Sequence, residues 1–321
     1  MKGLTDIEGI RVGHASDDQA MTGCTAILCE QGAVAGVDIR GSATGTEEFT
    51  VLEPDHVTER IHAVVLAGGS AFGLEAASGV RRYLARKGIG FPLGAAVVPI
   101  VPCAILFDLA IGRSDVWPTR EMGERAAAAA SADAVTEGSV GAGAGATVGK
   151  AFGMGRAMKS GIGSASISLG GNFSAVRVAS LAAVNALGDV ILPNPERILA
   201  GARKSEHSTE FADTAREMLG GFVPAVSRSN TTLVVVATNA RLSKIQARKL
   251  AQLAQIGLAR TIRPVHTMYD GDLVIALSLG NQSADISSLG VAAAAAVEES
   301  ILRSVRFAAG KGGVPGLADR R

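Results

Sequence analysis

Aromatic side chains are scarce in this 321-residue chain: they make up 4%, with one tryptophan and two tyrosines. Its core must therefore be built mostly from Ala, Val, Leu and Ile. Neither sign of charge is in excess, with 31 basic and 30 acidic residues. The basic surplus of a general nucleic-acid binder is absent. Cysteine is limited to Cys24, Cys29 and Cys103. That odd number has no framework spacing, so reduced thiols in a cytoplasmic protein are expected. Cys24 and Cys29 have no second pair, and the five histidines form neither HxxxH nor a Cys/His cluster. No metal and no organic cofactor is expected. Long hydrophobic runs are also missing. The most apolar stretch, residues 91–109, holds Pro92, Pro99, Pro102 and Asp108, and the alanine runs at 125–130 and 292–296 are short. No membrane span is expected. The first residues, MKGLTDIEGIRVGHASDD, carry charge where a signal peptide needs an apolar stretch.

Glycine is abundant, at 40 residues, and apolar residues reach 47% against 19% charged. This is a core-forming globular chain with many tight turns. Thr25–Leu28 and His62–Leu66 read as buried strands. After the second, Gly68-Gly69-Ser70 leads into a helix running to about Lys87. A further helix is predicted over 119–132, with Pro118 near its first turn. Residues 138–163 are glycine-rich and open to reading as a linker, though they carry Lys150 and Lys159. A strand is predicted over 175–186, and 196–228 reads as an exposed connecting segment. Leu233–Ala237 is a buried strand by length and β-branching. Ser243 with Gln246 has the spacing of a capping box ahead of a helix. Strand 272–279 and helix 287–305 follow.

The glycine loops do not fit nucleotide binding. LAGGSAFGLEAA lacks the Gly-Lys-Ser/Thr ending of a phosphate loop, and GAGAGATVGKA lacks a correctly placed acid. Gly69 and Ser70 are open to two readings: backbone amides lining a substrate pocket, or close helix–sheet packing. The nucleophile elbow GxSxG is absent. The sharpest feature is Asn230-Thr231 at the mouth of a buried strand. The Thr231 hydroxyl can attack the Asn230 carbonyl carbon, converting amide to ester. Water then frees an N-terminal threonine whose own amine serves as base. Taken alone, Asn-Thr-Thr is equally an ordinary strand entry. Likewise Lys150 reads as a solvated loop lysine or a site residue, and Asp270-Gly271-Asp272 as a turn or a pair of acids.

Several segments resemble the DmpA-type aminopeptidases, peptidase family S58, which includes β-peptidyl aminopeptidases and nylon-oligomer hydrolases. They are Val12-Gly13-His14 with Gly23-Cys24-Thr25, LAGGSAFGLEAASGV at 66–80, GAGAGATVGK at 141–150, VNALGDV at 184–190, SNTTLVVVATNARLSK at 229–244 and PVHTMYDGD at 264–272. The resemblance implies one α+β domain over 1–321, a four-layer αββα sandwich of N-terminal-nucleophile type. It implies self-cleavage at Asn230-Thr231 into an α piece, 1–230, and a β piece, 231–321, with several such units assembling. Thr231 would be the nucleophile, and Asn185 would help hold the oxyanion. Lys150 would lie near the nucleophile, where a cation depresses an amine's pKa. Asp270 and Asp272 would orient the Thr231 amine or bind a substrate ammonium. In a strand, their spacing would put them on one face. Phe107 stands where the family has a tyrosine near the substrate carbonyl, and Phe cannot donate a hydrogen bond. Either Asn185 and backbone amides suffice, or Trp117 or Tyr269 takes part.

The leading expectation is a self-processed threonine amide hydrolase, an aminopeptidase acting on peptides or small amides. Hydrolysis of ω-amino-acid oligomers is the narrower variant, and acyl transfer to an amine is a further one. An uncleaved, non-catalytic oligomeric binding protein is the reading from another class.

Overall fold

The computed structural model describes residues 2–224 and 230–320. Its strands are runs of small and β-branched apolar residues separated by glycine turns. In the first sheet, β1 (Arg11–Asp17) pairs antiparallel with the first half of a long strand, β2 (Thr22–Ile39). β3 (Gly45–Glu47), β4 (Ile61–Ala67) and β5 (Cys103–Ile105) complete it, with β4 antiparallel to β2 and β5 parallel to β4. In the second sheet, β6 (Ile162–Ser168), β7 (Arg177–Asn185), β8 (Thr231–Ala240) and β9 (Leu273–Gln282) lie side by side. The second half of β2 pairs antiparallel with β9 there, Val34 opposite Ser278. β2 thus belongs to both sheets. Its register shifts between Leu28 and Ala33, where Gly32 takes a left-handed φ of 82° and lets the strand turn from one sheet to the other.

Side chains alternate across each strand, and this sorts the core into layers. Ile27, Val64 and Leu66 of the first sheet meet Leu181, Leu233 and Ile275 of the second. Their neighbours Ala26, Leu28 and Val65 turn outward onto α1 (Glu75–Arg86) and α2 (Arg120–Ala128). On the far side Val184, Val234 and Val274 turn onto α4 (Lys244–Thr261) and α5 (Ile286–Arg306). The order is helix, sheet, sheet, helix, the expected sandwich. A short helix, α3 (Thr214–Leu219), lies before β8.

Local signals set the helix ends. Ser243 and Gln246 form the capping box of α4, and Thr119 and Asp285 accept the amides of Met122 and Ser288 in the first turns of α2 and α5. α2 stops at Ala128, earlier than the sequence predicts. The glycine-rich segment is not a linker, since every residue of 141–150 is buried. Nor do residues 196–224 of the expected connecting segment hang free. Buried Asp189 accepts the amides of Ala202 at 2.7 Å and Thr214 at 2.8 Å, tying the segment to the body. Residues 225–229, including Ser229 just before the Asn-Thr-Thr motif, lie outside the described residues. Among the described residues no helix is long and apolar enough to cross a membrane.

Candidate active site

The ends of β7 and β8 and the loop before β9 converge at one edge of the second sheet. Asn185, the last residue of β7, pairs with Thr231, the first of β8. On the other flank Asn230 forms a parallel bridge with Asp270. Lys150 arrives from the glycine-rich segment, whose backbone is fixed there by hydrogen bonds of the Gly149 and Lys150 amides to Gly188 and Leu187, each 3.0 Å. The five residues named as catalytic from the sequence therefore meet, and none is more than 6% exposed.

The bond between Asn230 and Thr231 is held in detail. Thr231 Oγ1 donates to the Asn230 carbonyl oxygen at 2.5 Å, and the Gly271 amide donates to the same oxygen at 2.8 Å. Asn230 N–H and Nδ2 both donate to the Tyr269 carbonyl, at 3.3 and 3.1 Å. Position 271 has to be glycine, because a Cβ there would lie 2.8 Å from Thr231 Oγ1 and 2.7 Å from the Ala43 carbonyl oxygen.

Lys150 Nζ donates to the backbone oxygen of Asn185 at 2.9 Å and to its Oδ1 at 2.8 Å. The Thr147 amide adds a third donor, to Oδ1, at 3.1 Å. These donors fix which end of the Asn185 amide is oxygen, so Nδ2 is the end that donates to the Phe107 carbonyl at 2.8 Å. Burial pulls the Lys150 ammonium down to about 7, with Asp270 and Asp108 acting against it.

Both oxygens of each paired acid are engaged. Asp270 accepts the Leu187 amide at 3.1 Å and Thr267 Oγ1 at 2.5 Å. Asp272 accepts the Thr232 amide at 2.7 Å on one oxygen, and His266 on the other. Burial, and after it the charge of Asp272, pushes the Asp270 carboxyl upward. One sequence argument needs correction here: β9 starts only at Leu273, so the acids do not share a strand face. They are brought to the same side by a loop. Its carbonyls are held from outside, Asp270 O by the Ala43 amide and Asp272 O by the Arg40 and Gly41 amides, at 2.9–3.0 Å.

A cavity of about 210 Å³ opens beside the site, lined by Phe107, Asp108, Ile111, Thr147, Lys150 and Asn230 among others. Phe107 gives it an apolar wall and, through its carbonyl, anchors Asn185. Gly69 and Ser70, expected at the pocket, are not among its lining residues. The amides of Gly68, Gly69 and Ser70 are spent within the fold, on Gly23 O, Asp108 Oδ1 and Leu106 O. A Cβ at Gly69 would meet Trp117 at 2.6 Å, which favours the packing reading of this loop. Trp117 stacks on Phe72 with ring centroids 4.4 Å apart, and the Tyr269 carbonyl accepts from Asn230, so that contact supplies no donor in place of the missing tyrosine hydroxyl.

Sequence reasoning missed three groups. Asp108 lines the cavity, and burial pushes its carboxyl up to about 6. It was legible only as the single charge in the apolar run 91–109. Lys159 is fully buried, with Nζ on the carbonyls of Ala144 at 3.0 Å and Ala146 at 2.8 Å. Burial lowers it to about 7. The Gly271 amide, a backbone group, has no signature of its own in sequence.

The pattern of peptidase family S58 matches residues 2–317. This chain belongs to that family. It is a peptide or amide hydrolase. An uncharacterized aminopeptidase of Mycobacterium leprae is 38% identical, over 98% of this chain and 93% of its own length. A 6-aminohexanoate-oligomer endohydrolase of a Kocuria species is 28% identical, over 94% of this chain and 85% of its own. In fold, this S58 chain is similar to a Burkholderia beta-aminopeptidase, with a TM-score of 0.72 and 23% identity over 100% of this chain and 92% of that one. It also resembles the L-aminopeptidase D-Ala-esterase/amidase of Ochrobactrum anthropi, described as a variant of the Ntn hydrolase fold. There the TM-score is 0.69 at 18% identity, covering 98% of this chain and 89% of the other.

Proposed function

We propose that this S58 member is a self-processing amide hydrolase whose nucleophile is Thr231, freed by cleavage of its own Asn230–Thr231 bond. The observation that carries the reading is the contact of Thr231 Oγ1 with the Asn230 carbonyl oxygen at 2.5 Å, with the Gly271 amide on the same oxygen. Oγ1 attacks the carbonyl carbon, and the Gly271 N–H stabilises charge developing on the oxygen. The C–N bond breaks, and the Thr231 nitrogen leaves carrying the proton lost by Oγ1. Water hydrolyses the resulting ester, leaving a carboxylate on Asn230 and an amine on Thr231. In later turnovers that amine takes the Oγ1 proton as Thr231 attacks a substrate. Its ordinary pKa, about 8, suits a base at neutral pH. Asn185, Lys150 and the acid pair surround the reacting atoms and are buried with them.

The substrate proposed first is a peptide or small amide that gives up its N-terminal residue, since the more similar relatives carry the name aminopeptidase. Amide oligomers of ω-amino acids are the second class, after the name of the 28% identical relatives. We further propose that copies associate. The hairpin around Phe91–Pro92 and Val97–Val98 is apolar, and Leu93, Val97 and Val98 stand exposed on it.

The test is the intact mass of denatured protein beside that of Thr231→Ala. Self-processing yields two fragments that sum to the whole chain plus one water, the smaller starting at Thr231, while the variant stays whole. An unbroken wild-type chain after long incubation rejects the reading. With cleavage established, release of amine from aminoacyl amides against 6-aminohexanoate oligomers separates the two substrate classes.

A further inference from the structure

His266 lies in the loop ahead of the acid pair and takes no part in the chemistry above. Its backbone is left-handed, with φ at 57°. For a residue with a Cβ that costs about 1–2 kcal/mol and persists only where the surroundings impose it. Here they do. Asp272 Oδ2 accepts the His266 backbone N–H at 3.0 Å and faces Nδ1 of its ring at 3.2 Å. A carboxylate oxygen in that place makes Nδ1 the nitrogen that carries the proton. Nε2 is buried and has no hydrogen-bond partner among the described residues, so the ring's polar contact there is the one to Asp272.

The other oxygen of Asp272 accepts the amide of Thr232, the residue directly after Thr231, at 2.7 Å. The ladder between β8 and β9 begins one residue later, at Leu233 opposite Leu273. A side chain therefore stands in for the strand partner that Thr232 lacks on this flank. A carboxylate held through one oxygen can swing about its Cβ–Cγ bond, and one held through both cannot.

We propose that His266 is a positioning residue for the threonine nucleophile: by occupying one oxygen of Asp272 it locks the other onto the Thr232 amide, and so fixes the main chain that carries Thr231. The proposal rests on Thr231 being the nucleophile. It gives His266 no contact with the reacting atoms. The rival is that His266 only shapes its own loop.

Three variants separate backbone from ring. His266→Gly adopts the left-handed backbone freely but offers no side-chain donor. His266→Asn tolerates that backbone and presents an amide N–H near the place of Nδ1. His266→Ala lacks both advantages. The measurements are the self-cleavage rate of the full chain by intact mass, kcat and KM of the cleaved enzyme, and the melting temperature. His266→Gly is expected to cleave about tenfold or more slowly and to lose kcat with little change in KM, as for a misplaced reacting group. His266→Asn should stay within about threefold of wild type, because the donor is restored. Wild-type rates in His266→Gly, or a folded His266→Asn as slow as His266→Gly, would overturn the proposal. So would a fall in melting temperature in all three with rates per folded molecule unchanged. A wild-type chain that never cleaves rejects the nucleophile assignment instead, before any variant is compared.

Discussion

At the scale of single residues, burial draws the titration of lysines in and beside the site towards neutral pH. Lys150 and Lys159 are both lowered to about 7 by burial, while in the unfolded chain a lysine titrates near 10.4. Between pH 7 and 9 the unfolded chain holds protons that the folded lysines have released, so stability should rise with pH. Each lysine contributes up to about 1.4 kcal/mol per pH unit in that window. Lys159→Met should remove about half of this lysine-dependent rise, read from urea unfolding at pH 7, 8 and 9. Equal slopes would show that Lys159 keeps its proton when buried. Phe107 supports a second prediction. It lines the cavity beside Asn185 but has no donor to give. Phe107→Tyr should raise kcat on amide substrates by about three- to tenfold if its hydroxyl reaches the carbonyl oxygen. No change would mean that the Gly271 amide and Asn185 already meet the need.

At the scale of elements, the layers depend on close backbone contact as much as on apolar area. A Cβ at Gly79 of α1 would come 1.8 Å from the Arg120 carbonyl oxygen at the start of α2, and one at Gly123 would come 1.9 Å from that of Ala76. Gly79→Ala should force the helices apart and cost about 1–3 kcal/mol, measured by urea unfolding. What could be read from sequence follows the same division. β8 was legible because Leu233–Val236 is an unbroken apolar run, and α4 because Ser243 and Gln246 carry its cap. The two-sheet arrangement was not legible in periodicity. β4 is buried on both faces, so all seven of its residues are buried and no alternation marks which side meets the second sheet. The fold came instead from family resemblance. Asn185, Lys150 and the acids came the same way, and Lys150 and the acids each have a bland alternative in their own local sequence. The 138–163 segment has a linker's composition, and only its burial among the other layers distinguishes it.

At the scale of the whole molecule, cleavage before Thr231 would cut the chain without dividing the fold. β8 would begin the new piece while lying between β7, from the first piece, and β9, from its own. Its side chains fill both the inter-sheet core and the layer under α4 and α5. The two pieces should therefore stay together in native mass spectrometry and separate only in denaturant. Fragments that part in native buffer would contradict this packing. The shared strand β2 has a further consequence, for the order of events during synthesis. Its second half waits for β9, which is made near the end of the chain, and Thr231 gains its neighbours Asp270 and Asp272 from that same late stretch. A nascent chain stalled on the ribosome before about residue 282 has made Asn230 and Thr231 but cannot yet close the second sheet around them. If Thr231 cleaves the chain as proposed, the bond would thus be protected from that chemistry until translation is nearly over.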